Sequence, residues 1–146
     1  MFKHFLIPTD GSPVSSKAVK AGIALAKKLD AKVTAYCAIE ELQMIHGEGY
    51  VMDQQTIDRF EEEARKAAQK HVDAIGTLAK AAGIRFASVV AKSYTSYDGI
   101  VKTAMKKKCD VIFMASHGRR GLSRLIMGSV TQKVLSHSKI PVVVYR

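Results

Sequence analysis

Apolar positions along the chain fall into two alternating patterns. Phe2–Ile7, Ala31–Ile39, Ile84–Ala91, Asp110–Met114 and Ile140–Tyr145 are short, mostly continuous apolar runs. Runs of this kind suit strands buried on both faces of a parallel sheet. The stretches between them have helical periodicity. Val14, Ala18, Ala21, Leu25 and Leu29 share one face, after Ser12 as N-cap and Pro13 at the first helical position. Ile57, Phe60, Ala64, Ala68, Ile75, Leu78 and Ala82 line a long helix from Asp53 to about Ala82. Glu61–Glu63 lie nearer its start and Lys66, Lys70 and Lys80 further on, which suits the helix dipole, and Gly83 is placed to end it. A third helix runs through Ile100, Val101, Ala104 and Met105 with Ser96 as its expected N-cap, and a fourth follows from Val130 through Leu135.

Strands thus alternate with helices, β-α-β-α-β-α-β-α-β. This order predicts one α/β domain over residues 1–146, a five-stranded parallel open sheet with helices on both faces and right-handed crossovers. Glu40–Val51 interrupts the pattern, and Gly47-Glu48-Gly49 marks it as an irregular surface connection or a lid.

Composition narrows the setting. The chain has 146 residues and is 47% apolar, enough for one sizeable core. No apolar run approaches a membrane span, and the Met1–Pro8 stretch is too short for a secretory h-region, so a cytoplasmic location is expected. Cys37 and Cys109 sit beside apolar residues and read as small core hydrophobes. The formal net charge of +10 favours acidic partners in general, such as nucleotides, nucleic acid or anionic surfaces. The tightest basic run, Lys106-Lys107-Lys108, suits the negative end of the third helix, and no specific nucleic acid partner is expected from it.

The candidate chemistry lies after the fourth strand. Ala115-Ser116-His117-Gly118 is followed ten residues after that glycine by Gly128-Ser129, and then by the fourth helix. A glycine-bearing loop that feeds a helix N-terminus suits an anion: backbone comes close, and unpaired N–H groups and the positive dipole end face it. The spacing matches neither the Walker A pattern nor the dinucleotide fingerprint. His117 reads as a loop histidine bonded to backbone. His4, His46, His71 and His137 show no metal-ligand spacing, and Met44, Met52, Met105, Met114 and Met127 read as packing.

The same residues carry a resemblance. Ala115-x2-Gly118-x9-Gly128-Ser129 resembles the ATP-binding motif of the universal stress protein family, G-x2-G-x9-G-[ST], with Ala115 in place of the first glycine. Asp10 after the first strand, the long middle helix and the Ile140-Pro141-Val142-Val143-Val144 ending are similar to that family too. The resemblance implies a Rossmann-like sheet of the adenine nucleotide alpha hydrolase type, order 3-2-1-4-5. Its crevice lies outside the carboxyl ends of strands one and four. It further implies a nucleotide site made by Pro8, Thr9, Asp10, Ala38, Met114, Ala115, Gly118, Gly128, Ser129 and Val130. In that site Thr9 and the Ala38 backbone meet the adenine, and Met114 and Ala115 line the ribose. Gly118, Gly128, Ser129 and Val130 hold phosphates, and Asp10 contacts the nucleoside or a Mg2+ ion beside the phosphates. Arg119 and Arg120 lie close in sequence, although the motif does not require them. A homodimer through Ile140, Pro141, Val142, Val143, Val144 and Tyr145 is likewise implied.

The function expected is therefore an ATP-binding stress-response regulator with little or no turnover. No lysine lies within the motif and no residue is marked as a water-orienting base, so catalysis beyond weak ATP hydrolysis is not expected. The alternatives are an interaction module of the same class without a nucleotide, favoured by Ala115, and a slow nucleotide hydrolase.

Overall fold

A computed structural model describes residues 1–40, 52–118 and 127–146. Its elements, in chain order, are β1 (His4–Pro8), α1 (Pro13–Lys28), β2 (Lys32–Glu40), α2 (Gln54–Ala81), β3 (Phe86–Ser93), α3 (Ser96–Lys106), β4 (Val111–Ala115), α4 (Ser129–His137) and β5 (Val142–Tyr145). All strand pairs are parallel, and the sheet order is β3-β2-β1-β4-β5. β1 and β4 are therefore neighbours at the centre, Phe5 level with Val111 and Leu6 with Ile112.

Alternation along these strands divides the core in two. Phe5, Ile7 and Phe113 pack on one face of the sheet with Val19, Ile23, Val72 and Ile75 of α1 and α2. Leu6, Ile112 and Met114 pack on the other with Ile100 and Ala104 of α3 and Val134 of α4. Every residue of β4 is buried, which is why its sequence is apolar throughout rather than alternating.

The helix ends follow the sequence signals with one exception. Ser12 Oγ accepts the Ser15 N–H at 3.1 Å and Pro13 opens α1. Asp53 accepts the Thr56 N–H at 2.9 Å ahead of α2, and Gly83 takes φ +73° just past its end. Ser96, expected as the N-cap of α3, is instead its first residue. Thr95 occupies the cap with no side-chain hydrogen bond, and the Ser93 hydroxyl is bonded to the Thr95 carbonyl at 2.6 Å.

Strand limits differ from the apolar runs by at most two residues, because a run marks burial and a strand marks pairing. The last strand is the case with consequences. Ile140 and Pro141, expected within it, precede β5. Ile140 is held by Ser138, whose hydroxyl accepts the Ile140 N–H and donates to its carbonyl at 3.0 and 2.7 Å. Pro141 contributes only its carbonyl, which accepts the Ile112 N–H at 2.9 Å.

The irregular Glu40–Val51 connection, with Met44 and His46, lies outside the described residues from 41 onward, as do Arg119 and Arg120.

Candidate functional site

The centre of the sheet brings two distant turns together. Thr9 follows the last residue of β1, and its N–H is taken by the Tyr36 carbonyl of β2 at 2.8 Å. The Thr9 hydroxyl accepts the Gly11 N–H at 3.1 Å and the Ser15 hydroxyl at 2.9 Å. Asp10 Oδ1 accepts the Ser12 N–H at 2.9 Å, an Asx turn that fixes the carboxylate at the start of α1. Gly11 takes φ +75°, and the His71 ring of α2 fills the space where a side chain at Gly11 would go. This turn is thus locked from below by α1 and from the side by α2.

The second turn begins at the end of β4. Ser116 N–H is bonded to the Tyr145 carbonyl at 2.9 Å, so β5 steadies the strand end. Gly128 N–H returns to the Ser116 carbonyl at 2.8 Å, closing the two ends of the intervening loop on each other. The Thr131 hydroxyl donates to the Ala115 carbonyl at 3.0 Å and ties the first turn of α4 to β4. His117 Nδ1 is 3.0 Å from the Ser116 hydroxyl, a side-chain partner where a backbone one was expected.

These constraints fix the spatial fate of each expected site residue. Pro8, Thr9 and Asp10 stand at the carboxyl end of β1, Ala38 near that of β2, and Met114 and Ala115 at that of β4. The Asp10 carboxylate and Gly118 are in direct apposition: a Cβ on Gly118 would collide with Oδ2. Gly128 is the N-cap of α4 and brings no capping side chain, and Ser129 and Val130 are the first two helical residues. The first-turn amides of α4 therefore point out of the helix without an intrahelical acceptor. An acid-bearing turn and a helix N-terminus meet over the central strands, at the topological switch point of the sheet.

Two structural details bear on what these residues can offer. Neither Gly118 nor Gly128 has positive φ; among the described glycines that conformation belongs to Gly11 and Gly83. Gly128 has φ −61°, and its missing side chain makes room for the chain itself, since a Cβ would lie 2.9 Å from His117 Cα. The Met114 and Ala115 side chains are 5% and 8% exposed and belong to the packed core, so each has mainly backbone to offer a ligand. Sequence reasoning also missed His71, whose only signal was a histidine on the inner half of a long helix.

A buried polar cluster lies at the other end of the sheet. His4 Nε2 is 2.8 Å from Thr34 Oγ1 and 3.5 Å from Cys109 Sγ, and Nδ1 is 3.2 Å from the Lys108 carbonyl. A proton on Nδ1 donated to that carbonyl leaves Nε2 to accept from the hydroxyl and thiol. Burial, followed by nearby Lys32, depresses the His4 pKa, and burial with Asp110 beside it pushes the Cys109 thiol up to about 11. Both are therefore neutral at pH 7 and unsuited to nucleophilic work. No group of three metal-binding side chains occurs among the described residues, and none of their helices is long and apolar enough to cross a membrane.

The universal stress protein family profile matches residues 1–146. Universal stress protein MJ0531 of Methanocaldococcus jannaschii is 30% identical over 146 residues, covering all of this chain and 83% of that protein. The solved structure of protein MJ0577, from the same organism, is 26% identical with a TM-score of 0.79, over 99% of this chain and 95% of that one. A universal stress protein crystallised in complex with cAMP is 21% identical with a TM-score of 0.71, over 99% of this chain and 97% of that one, a likeness of fold.

Proposed function

This chain belongs to the universal stress protein family, and from that premise we propose that it is an ATP-binding regulatory protein that turns over little or no nucleotide. The observation that carries the proposal is the apposition of Asp10 and Gly118 beside the free first turn of α4. The helix start offers N–H donors and positive potential to phosphates. The Asp10 carboxylate, held by the Ser12 amide, offers an acceptor to a ribose hydroxyl or a ligand to the magnesium of Mg-ATP. The Thr9 carbonyl and the Ala38 backbone, at the ends of β1 and β2, are the proposed partners of the base. The relative bound to cAMP supports an adenine nucleotide as the ligand class.

The Ala115 methyl belongs to the core cluster around Phe113 and Ile7, which favours nucleotide binding over the nucleotide-free alternative. No lysine lies within the motif from Ala115 to Ser129, which supports slow or absent hydrolysis. A homodimer through the outer edge of β5, whose Val142–Val144 are partly exposed, covers the apolar strand edge that β4 does not pair. The protein is expected in the cytoplasm.

Calorimetric titration with ATP, ADP, AMP and cAMP, with and without magnesium, tests the proposal. ATP is expected to bind in the micromolar range, about −8 kcal/mol, with no steady-state phosphate release. Absence of heat together with no thermal shift at millimolar ATP would overturn it. A dimeric mass by analytical ultracentrifugation at micromolar concentration is expected, and a monomer would refute the β5 interface.

A further inference from the structure

The positive charge that is dispersed along the sequence is gathered by the topology. In a parallel sheet with returning helices, strand starts and helix ends share one pole, opposite the crevice. Lys3 precedes β1, Lys32 opens β2, Arg85 precedes β3 and Lys139 precedes β5, and all four are exposed. The strand order sets them in a row across the sheet, interrupted at β4 by Asp110. With about 4.8 Å between neighbouring strands, the row is on the order of 19 Å long. Lys27, Lys28 and Lys80 flank it on the α1 and α2 face, and Lys106, Lys107 and Lys108 at the end of α3 flank it on the other.

Little at this pole opposes that charge. Asp110 keeps its charge while its two oxygens accept the Lys3 and His4 N–H groups at 2.8 and 3.0 Å, and the basic side chains around it outnumber it. Asp30 is exposed in the turn after α1. The ion pairs among the described residues use Lys66, Lys92 and Lys102, none of them here. Helix dipoles account for Lys27, Lys28, Lys80 and Lys106. Lys3 likewise donates from Nζ to the Leu29 carbonyl at the end of α1, at 3.0 Å; no such contact among the described residues accounts for Lys32, Arg85 and Lys139, whose mutual repulsion costs stability unless an anion meets it. The field reaches the interior: after burial itself, Lys32 depresses the buried His4 by more than Asp110 raises it.

We propose that this pole is a surface for the phosphate backbone of nucleic acid, bound without reading sequence. A duplex stretch as long as the row carries on the order of ten phosphates, so several lysines have partners at once. The helices reach the pole end-on, so none lays an apolar face along a bilayer as an interfacial anchor does. A charged row with this geometry fits a polyphosphate strand better than a membrane. The proposal is independent of nucleotide binding in the crevice, since the two sites occupy opposite ends of the strands.

The test is fluorescence anisotropy with labelled 20-base-pair DNA of two unrelated sequences and a 20-nucleotide RNA. Vesicles containing phosphatidylserine serve as the competing anionic surface. Equal affinity for the two DNA sequences is expected, falling roughly thousandfold between 50 and 200 mM salt, as for about six phosphate contacts. The triple variant Lys28→Glu, Arg85→Glu, Lys106→Glu is compared with Lys17→Glu, Lys20→Glu, Lys70→Glu, which carries the same charge change on exposed helix flanks. The first is expected to lose at least about tenfold more affinity than the second, and to flatten the salt dependence. If the first triple fails to fold, its three single variants are read the same way, each expected to lose about threefold. Equal losses in both triples, no binding by the wild type at 50 mM salt, or binding to vesicles alone would overturn the proposal.

Discussion

The carboxylate of Asp10 occupies the space that any side chain on Gly118 would need. The two residues are far apart in sequence and belong to different turns, yet each restricts what the other can be. Gly118→Ala is therefore expected to displace the carboxylate and to weaken ATP binding by at least roughly tenfold, about 1.4 kcal/mol. Valine should cost more. In an Asp10→Ala background the same Gly118→Ala change should cost much less, because the collision is gone. Calorimetry on the four proteins of this cycle measures the coupling, and additive losses would show that the two residues act separately.

Gly128 should behave differently. Its absent side chain makes room for His117 at 2.9 Å, and its N–H closes the loop onto Ser116. Gly128→Ala forces backbone apart rather than moving a side chain. A loss of stability of about 1–3 kcal/mol is expected, as for other overpacked sites. Urea denaturation without ligand reads this directly. An unchanged midpoint would mean that the loop ends separate at no cost.

His4 gives the fold an acid-sensitive point. Its pKa is depressed in the folded protein by burial and by Lys32, from an ordinary value of 6.5. Between those two values the unfolded chain binds the extra proton, so stability rises with pH across that window. The His4 contribution is present above about pH 6.5 and is lost as pH falls below it. Urea midpoints measured from pH 7.5 down to pH 5 should decline in the wild type. His4→Gln, which cannot titrate, should decline less steeply.

Cys109 should be silent toward alkylation. Its thiol is buried, accepted by the His4 ring, and pushed up to about 11. Iodoacetamide at pH 7.5 is expected to leave both buried cysteines, Cys37 and Cys109, unmodified in the native protein and to label both in guanidinium. Mass spectrometry counts the adducts. Rapid native labelling of Cys109 would contradict the neutral hydrogen-bonded thiol.

The sequence by itself determined the order and type of the nine elements among the described residues. Burial on both sheet faces imposes continuous apolar runs such as Val111–Met114, and an amphipathic helix imposes the spacing seen in Val14, Ala18, Ala21 and Leu25. These are local consequences of period and solvent exposure. The motif from Ala115 to Ser129 was legible for the same reason, since a loop that feeds a helix start is contiguous. Pairing is not local. Nothing in the chain near Asp10 announces that Gly118 will face it; only the adjacency of β1 and β4 in the sheet decides that. Tertiary structure likewise decided which glycines need positive φ, because a glycine chosen for close packing and one chosen for backbone conformation look alike in sequence. It also set Ile140 and Pro141 outside the last strand, where the Ser138 hydroxyl competes for backbone groups that a strand would have paired. The basic pole was the least legible of all. Its lysines are scattered from Lys3 to Lys139, and the parallel topology alone brings their strand starts and helix ends to one side.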